Sequence, residues 1–167
     1  GNEVIRFEEN LSKFLKSKHT ISCGNGTDAL YIALMALDLS PGDEVIVPSF
    51  TFISTVEAVC LLGLKPVFVD INPNTFLIDV EMIENSITEK VKAVIPVHLF
   101  GQCCDMVEIL RISKKYNIWL HVDGAFGGSV IFTEKYFHLL RGLEKSDSFC
   151  FNAHKTLGVP SVSYTHL

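Results

Sequence analysis

The sequence predicts an α/β domain of three layers (α/β/α), in which a mostly parallel sheet lies between two layers of helices. Short apolar runs, such as residues 45–48 and 66–69, alternate along the chain with segments of helical periodicity. Strands that are apolar throughout are typical of parallel sheets, because helices cover both faces of such a sheet. With 167 residues, 48% of them hydrophobic, the chain is long enough to bury a sizeable core.

Helices are predicted where apolar residues recur every three or four positions. Phe7, Leu11 and Phe14 follow this spacing among charged residues, which indicates an amphipathic helix. Asp79 precedes another such run and is a candidate cap. The predicted helices cover residues 7–15, 29–34, 80–87, 105–116 and 137–143, and the segment 49–59 begins polar and turns helical, ending near Gly63.

Strands are predicted where an apolar run follows a turn, as at residues 41–44. The predicted strands cover residues 45–48, 66–70, 92–98 and 118–122, and a last strand opens at Ser146 and runs toward Lys155. Ligands of parallel sheets bind at the carboxyl ends of the strands. The polar residues that follow these strands, such as Asp123, therefore become candidate site residues, and His98 and His121 are candidates for polar roles beside them.

Two residues about thirty positions apart suggest cofactor chemistry. Lys155 follows the last strand, and a lysine held in a cleft forms a Schiff base with an aldehyde, because burial lowers its pKa. Asp123 ends an apolar strand, and a carboxylate there can pair with the pyridinium nitrogen of pyridoxal 5'-phosphate (PLP). Taken singly, each has an ordinary alternative: a surface lysine, and a helix cap or turn aspartate.

The segment 21–28 opens a helix with two glycines, Thr27 and Asp28. Free backbone amides and the positive end of the helix dipole favour a phosphate at such a start, and the Thr27 hydroxyl adds a donor. The alternative is an ordinary capped helix with no ligand.

Composition excludes several classes of function. The formal net charge is −5 and no basic run occurs, which argues against nucleic-acid binding. No apolar run reaches the length that spans a membrane, and no secretory signal is visible. Five cysteines, an odd number, favour a reducing compartment over a disulfide framework, so we expect a cytoplasmic protein. Cys103-Cys104 lacks metal-ligand spacing, and we expect no metal site.

The segment 118–128, which contains His-Val-Asp-Gly-Ala, resembles the group II PLP-dependent decarboxylases related to glutamate and cysteine-sulfinate decarboxylase, as does Asn152-Ala153-His154-Lys155. This resemblance implies that Asp123 holds the pyridine nitrogen, that Ala125 packs on the ring and that Lys155 carries the cofactor. His154 belongs to the same pattern, and we expect both His154 and Cys150 among the cofactor-binding residues.

A longer part of the chain resembles the DegT/DnrJ/EryC1/StrS family of PLP-dependent aminotransferases, which act on nucleotide-linked keto sugars. The motifs that carry it are Asn25-Gly26-Thr27-Asp28-Ala29-Leu30, Gly42-Asp43-Glu44-Val45-Ile46-Val47-Pro48, Thr51-Phe52-Ile53-Ser54-Thr55, Pro66-Val67-Phe68-Val69-Asp70 and Pro96-Val97-His98-Leu99-Phe100-Gly101-Gln102. The resemblance implies that Gly26 and Thr27 hold the cofactor phosphate, with Asp28 at the same helix start, and that Phe52 stacks on the ring. Asp123 and Lys155 keep the roles given above.

Two positions depart from the aminotransferase pattern. Phe126 stands where the family usually has a Gln that contacts the phenolic oxygen of the cofactor, and Cys150 stands where a Ser usually reaches the phosphate. We therefore expect residues 1–117 and 118–160 to come from two members of one superfamily, joined near Asn117–Ile118. Residues 161–167 match neither family and resemble cloning or adapter read-through.

The resemblances imply a fragment, residues 1–160, of the large PLP-binding domain, without the C-terminal small domain. The first functional hypothesis is an aminotransferase that moves an amino group from a donor such as glutamate to a nucleotide-linked keto sugar through a Lys155 Schiff base. The alternatives are an amino-acid decarboxylase and an inactive fragment of the same fold. Both families imply a small-molecule substrate and a homodimer at full length.

Overall fold

A computed structural model of the chain describes residues 1–159 and 164–166, and these form one sheet flanked by helices. The strands are β1 (Ile21–Cys23), β2 (Glu44–Pro48), β3 (Lys65–Val69), β4 (Val91–Val94), β5 (Trp119–Gly124), β6 (Ser148–Asn152) and β7 (Tyr164–His166). The α-helices are α1 (Asn2–Leu15), α2 (Gly26–Met35), α3 (Ser54–Leu61), α4 (Val80–Asn85), α5 (Met106–Tyr116) and α6 (Ala153–Thr156). Within the described ranges, no helix has the length and apolar character needed to cross a membrane.

The strands are arranged in the order β1-β7-β6-β5-β4-β2-β3. The five strands from β6 to β3 pair in parallel, and β7 runs antiparallel to both of its neighbours, β1 and β6. The predicted mostly parallel sheet is therefore confirmed. Of the tail predicted at residues 161–167, the structure describes the backbone of β7, and the remaining residues lie outside the described part.

Side chains that alternate along the strands build a separate core on each face of the sheet, as the period of two of a strand requires. Val45 and Val47 pack with α2 and α3 on one face. Ile46, between them, packs with α1, α4 and α5 on the opposite face. All three side chains are fully buried, which explains why the strand is apolar throughout.

The ends of several elements differ from the prediction. β5 continues through Asp123 because Asp123 lies opposite Cys150 of β6 in the parallel register. β4 ends at Val94, short of the predicted residue 98, and Pro96 close behind it has no N–H to extend the ladder. Lys155 lies in the four-residue helix α6 and not at the end of a strand. Asp79 caps α4 as predicted, accepting from the amide of Glu81 at 3.0 Å.

Two glycines hold together the loops that follow β4 and β5. Gly101 and Gly127 have φ angles of +83° and +84°, a region that glycine adopts without strain. A Cβ atom on Gly127 would lie 2.5 Å from the Cα of Gly101. The contact between these two backbones joins the loop after β4 to the loop that begins just beyond Asp123.

This contact predicts that Gly127→Ala lowers the free energy of unfolding more than Gly42→Ala does. Gly42 also has a positive φ, +91°, but a Cβ there would meet no atom within 4 Å. Both variants carry the cost of a left-handed alanine, and only Gly127→Ala adds the clash, so we expect a difference of about 1–3 kcal/mol, typical of overpacking. Urea unfolding of the two variants measures it. Equal losses would show that the loops move apart freely.

Candidate active site

A cavity of about 440 Å³ opens beside the carboxyl ends of β4, β5 and β6 and the start of α2. Six of the residues that the sequence singles out lie on its wall, and these are Gly26, Thr27, Phe52, Asp123, Ala125 and Lys155. The location agrees with the rule that ligands of parallel sheets bind beyond the carboxyl ends of the strands. The fold thus gathers the start of α2, the aspartate and the lysine around one space.

Asn25, which the sequence analysis does not assign a role, caps the start of α2. The side chain of Asn25 accepts a hydrogen bond from the amide of Asp28 at 2.8 Å and donates one to the Asp28 carboxylate at 2.8 Å. Asp28 is thereby engaged in capping, is exposed and does not line the cavity. A sequence signal did exist, because Asn is among the residues preferred at this position.

The hydroxyl of Thr27 is already used within the protein. It donates to the Oγ of Ser54 at 2.8 Å, and Ser54, at the first position of α3, also lines the cavity. Since Ser54 accepts this bond, its own proton is left for an acceptor in the cavity. The hydroxyl that can donate to a ligand beside the start of α2 is therefore that of Ser54, and the hydrogen bond from Thr27 holds it in place.

Asp123 is a buried carboxylate, with 7% of the residue exposed. One oxygen accepts from the amide of Ala125 at 3.0 Å, and the other lies 3.4 Å from the Oγ1 of Thr55. Burial raises the pKa of Asp123, and the Ala125 hydrogen bond and the positive charge of Lys155 act in the opposite direction. A buried carboxylate of this kind is stabilised by a cationic partner.

Lys155 lies on the cavity wall, in α6, directly after β6. We expect a buried lysine from the sequence, and this expectation is wrong for the described structure, since Lys155 is exposed. The reason is local: α6 has a single turn and its residues from Lys155 onward face outward. The short turn still directs the amine to the same cavity as Asp123.

Three predicted cofactor-binding residues are not part of the cavity lining, namely Asp28, Cys150 and His154. Cys150 lies behind Asp123, with its Sγ 3.8 Å from the carboxylate oxygen that also accepts from Ala125. Burial raises the pKa of the Cys150 thiol well above its ordinary value, so the group stays neutral. His154 is half-buried. The structure thus separates the residues on the cavity wall from those behind it.

Three further polar residues line the cavity, namely His98, which the sequence gives as a candidate for a polar role, and Thr51 and Asn152, to which no site role was assigned. Thr51 Oγ1, His98 Nε2 and Asn152 Oδ1 are buried and have no hydrogen-bond partner among the described residues. Buried polar atoms in native proteins are nearly always paired. Three exceptions on one wall indicate that the cavity is shaped for a polar occupant. Thr51 and His98 follow β2 and β4, and Asn152 is the last residue of β6, so a position at the carboxyl end of a strand is the sequence signal that the three share.

Comparison with known protein families establishes the family of the chain. The model of the DegT/DnrJ/EryC1/StrS aminotransferase family matches residues 1–160.

The chain belongs to this family.

Several similar curated proteins are sugar aminotransferases. The chain is 51% identical over 131 residues to UDP-2-acetamido-2-deoxy-3-oxo-D-glucuronate aminotransferase of Pseudomonas aeruginosa, covering 77% of this chain and 36% of that enzyme. It is 40% identical over 159 residues to 3-oxo-glucose-6-phosphate:glutamate aminotransferase of Bacillus subtilis, covering 95% and 34%. The chain therefore spans about a third of the length of these relatives.

A solved family structure has the same fold. A crystal structure of NtdA from Bacillus subtilis with bound cofactor PMP is 36% identical and superposes with a TM-score of 0.85, covering 99% of this chain and 37% of that chain. This likeness confirms the predicted α/β fold along nearly the whole chain.

The expected junction near Asn117–Ile118 finds no support. The family model runs through this point without interruption to residue 160, and the Bacillus subtilis relative aligns over 159 residues. The decarboxylase resemblance of residues 118–160 likewise finds no support, since the aminotransferase family model covers these residues. His121-Val122-Asp123 and Lys155 thus lie within the stretch that the aminotransferase family model matches.

The burial of Asp123 predicts that Asp123→Asn stabilises the ligand-free chain at neutral pH. Because the folded-state pKa is raised above the ordinary 3.8, the charged form opposes folding, and this penalty grows as the pH rises above that value. We expect a gain of about 1–3 kcal/mol at pH 7, as for relief of an uncompensated buried polar group, and no gain in acid. Urea unfolding across the pH range measures it.

Asp70→Asn is the matched control, at the end of β3. Asp70 is exposed, and hydrogen bonds from the Ile71 amide and the Ser49 hydroxyl lower its pKa. Its contribution to stability is therefore present above the unfolded pKa and is lost as the pH falls, so the two variants should show opposite trends with pH. A loss of stability in Asp123→Asn at pH 7 would contradict the argument from burial.

Proposed function

We propose that this chain forms the cofactor-binding part of a PLP-dependent aminotransferase, which transfers an amino group from a donor such as glutamate to a nucleotide-linked keto sugar. The observation that carries the proposal is one cavity whose wall includes the buried carboxylate of Asp123, the amine of Lys155 and the start of α2. Membership of an aminotransferase family and the sugar substrates named for its relatives support it.

The chemistry of the cavity matches the groups of PLP one by one. The start of α2, where helix geometry leaves backbone amides without partners inside the helix, suits a phosphate, and Ser54 lies beside it. Asp123 suits a protonated ring nitrogen, because burial leaves its carboxylate in need of a cation. Lys155 suits an aldehyde carbon, which its amine can hold covalently. The buried unpaired atoms of Thr51 and Asn152 offer further polar contacts to such an occupant.

Each residue would have a distinct task in transamination. PLP, when bound, supplies an electron sink for the bond that breaks at the amino-bearing carbon of the substrate. Asp123 would keep the ring nitrogen protonated, which maintains that sink. The incoming amino donor would release the amine of Lys155. That amine would then accept a proton from the substrate carbon on its Nζ and pass it to the cofactor. Phe52, 73% exposed and on the cavity wall, would cover the ring and keep water away.

The finer assignments are part of the same proposal. The full-length protein would act as a homodimer, as the family resemblance implies. We propose a cytoplasmic location, which the free cysteines favour, since Cys23, Cys60, Cys103, Cys104 and Cys150 all lack a disulfide.

Reconstitution with PLP tests the proposal through absorbance. The wild-type chain should acquire the visible band of a lysine-linked cofactor, and Lys155→Ala should lose it, because no other lysine is among the described residues that line the cavity. Lys145→Ala is the control, since Lys145 is exposed and lines a different groove, next to Trp119 and Asp147. Borohydride reduction followed by peptide mapping should locate the cofactor on Lys155. A band that survives in Lys155→Ala would refute the assignment.

Addition of glutamate distinguishes the type of reaction. An aminotransferase should lose the visible band and release one keto acid per cofactor, without carbon dioxide. Release of carbon dioxide would instead identify a decarboxylase. Retention of the band after addition of glutamate and other amino donors would argue for a protein that binds the cofactor without turnover.

A further inference from the structure

His98 is a buried imidazole on the cavity wall that the assignments above leave without a task. Only 2% of the residue is exposed. It follows β4, and its backbone amide donates to the carbonyl of Asp123 at 2.9 Å. The backbone of the cavity wall therefore ties His98 directly to the aspartate on the neighbouring strand.

The hydrogen bonding of His98 fixes its tautomer. Its Nδ1 accepts from the backbone amide of Cys104 at 3.3 Å, so Nδ1 carries no proton and the neutral ring carries its proton on Nε2. Burial lowers the pKa of His98 to about 4, which keeps the ring neutral at physiological pH. Nε2 is buried and has no partner among the described residues. His98 thus presents one N–H donor that needs an acceptor.

The order of the strands fixes the side of the cavity from which this donor acts. Asp123 is on β5, which lies between β6 and β4 in the sheet. Helix α2 packs against β6, on one side of Asp123. His98 follows β4 on the other side. A ligand whose ring nitrogen faces Asp123 and whose phosphate lies at α2 therefore has its remaining edge toward β4.

We propose that the Nε2–H of His98 donates a hydrogen bond to the phenolic oxygen of bound PLP. This inference rests on the proposed function. With the phosphate at α2 and the ring nitrogen protonated at Asp123, the phenolic oxygen is the strong acceptor of the cofactor that is left. Phe126, on the same wall, has no hydrogen-bonding group, so it does not compete for that oxygen. His98 would be a cofactor-binding residue that adjusts the proton affinity of the linkage to Lys155.

Two substitutions distinguish the acceptor role of His98 Nδ1 from the donor role of Nε2. His98→Asn places an amide oxygen near the position of Nδ1, so Cys104 keeps an acceptor while the donor at Nε2 is lost. His98→Gln reaches the position of Nε2 and restores a donor there. Both variants and the wild-type chain are loaded with PLP, and the visible band of the Lys155-linked cofactor is titrated with pH.

A donor to the phenolic oxygen favours the form of the linkage that has lost its proton, so removing the donor should raise the midpoint of the titration. We expect His98→Asn to raise this midpoint and to weaken PLP binding about three- to tenfold, the effect of one hydrogen bond. His98→Gln should return both values toward those of the wild-type chain. The charged groups on the cavity wall, Asp123 and Lys155, are unchanged in all three proteins.

The outcomes distinguish this inference from the proposed function. A Lys155-dependent band in the wild-type chain, with an unchanged midpoint and affinity in His98→Asn, would overturn the role of His98 and leave the proposed function standing. A change confined to the KM for the substrate would overturn it too, because the donor would then serve the substrate. Absence of the band from the wild-type chain would overturn both.

A second measurement needs no substitution, in case His98→Asn fails to fold. Nitrogen-15 NMR of the histidine side chains should show a proton on Nε2 and none on Nδ1 of His98 at neutral pH. Addition of PLP should shift the Nε2–H resonance. A protonated Nδ1, or an Nε2–H signal that does not respond to PLP, would contradict the proposal.

Discussion

The buried carboxylate of Asp123 is the constraint on which the site depends. It lies near the end of β5, at the centre of the sheet, and the amide of Ala125 at 3.0 Å holds one of its oxygens. The protein provides no full counter-charge, because burial raises the pKa of Asp123 against the opposing effect of Lys155. The buried charge of Asp123 destabilises the empty fold and is stabilised when a cation binds beside it. A functional site can in this way lower the stability of the ligand-free protein.

Two separate features of the fold position this carboxylate. The parallel register sets Asp123 opposite Cys150 of β6, so the neighbouring strand supplies a neutral, buried thiol and not a second charge. The Gly101–Gly127 backbone contact then holds together the loops that follow β4 and β5. Because α2 packs on the β6 side and His98 lies on the β4 side, the cavity has different chemistry at its two edges, which suits an asymmetric ligand.

Much of this arrangement could be predicted from local patterns. Apolar runs identified β2 to β6, and polar residues after them identified Asp123. What the sequence alone did not reveal depends on contacts between distant residues. Thr27 and Ser54 are 27 positions apart, and no local pattern predicts that one donates to the other. The tautomer of His98 depends on the path of the backbone at Cys104.

A crystal structure of the PLP-loaded chain tests the central claim most directly. The account predicts continuous electron density between the cofactor and the Nζ of Lys155, with the pyridine nitrogen within hydrogen-bonding distance of the Asp123 carboxylate. Cofactor density in the groove beside Lys145, or a ring nitrogen turned away from Asp123, would contradict it.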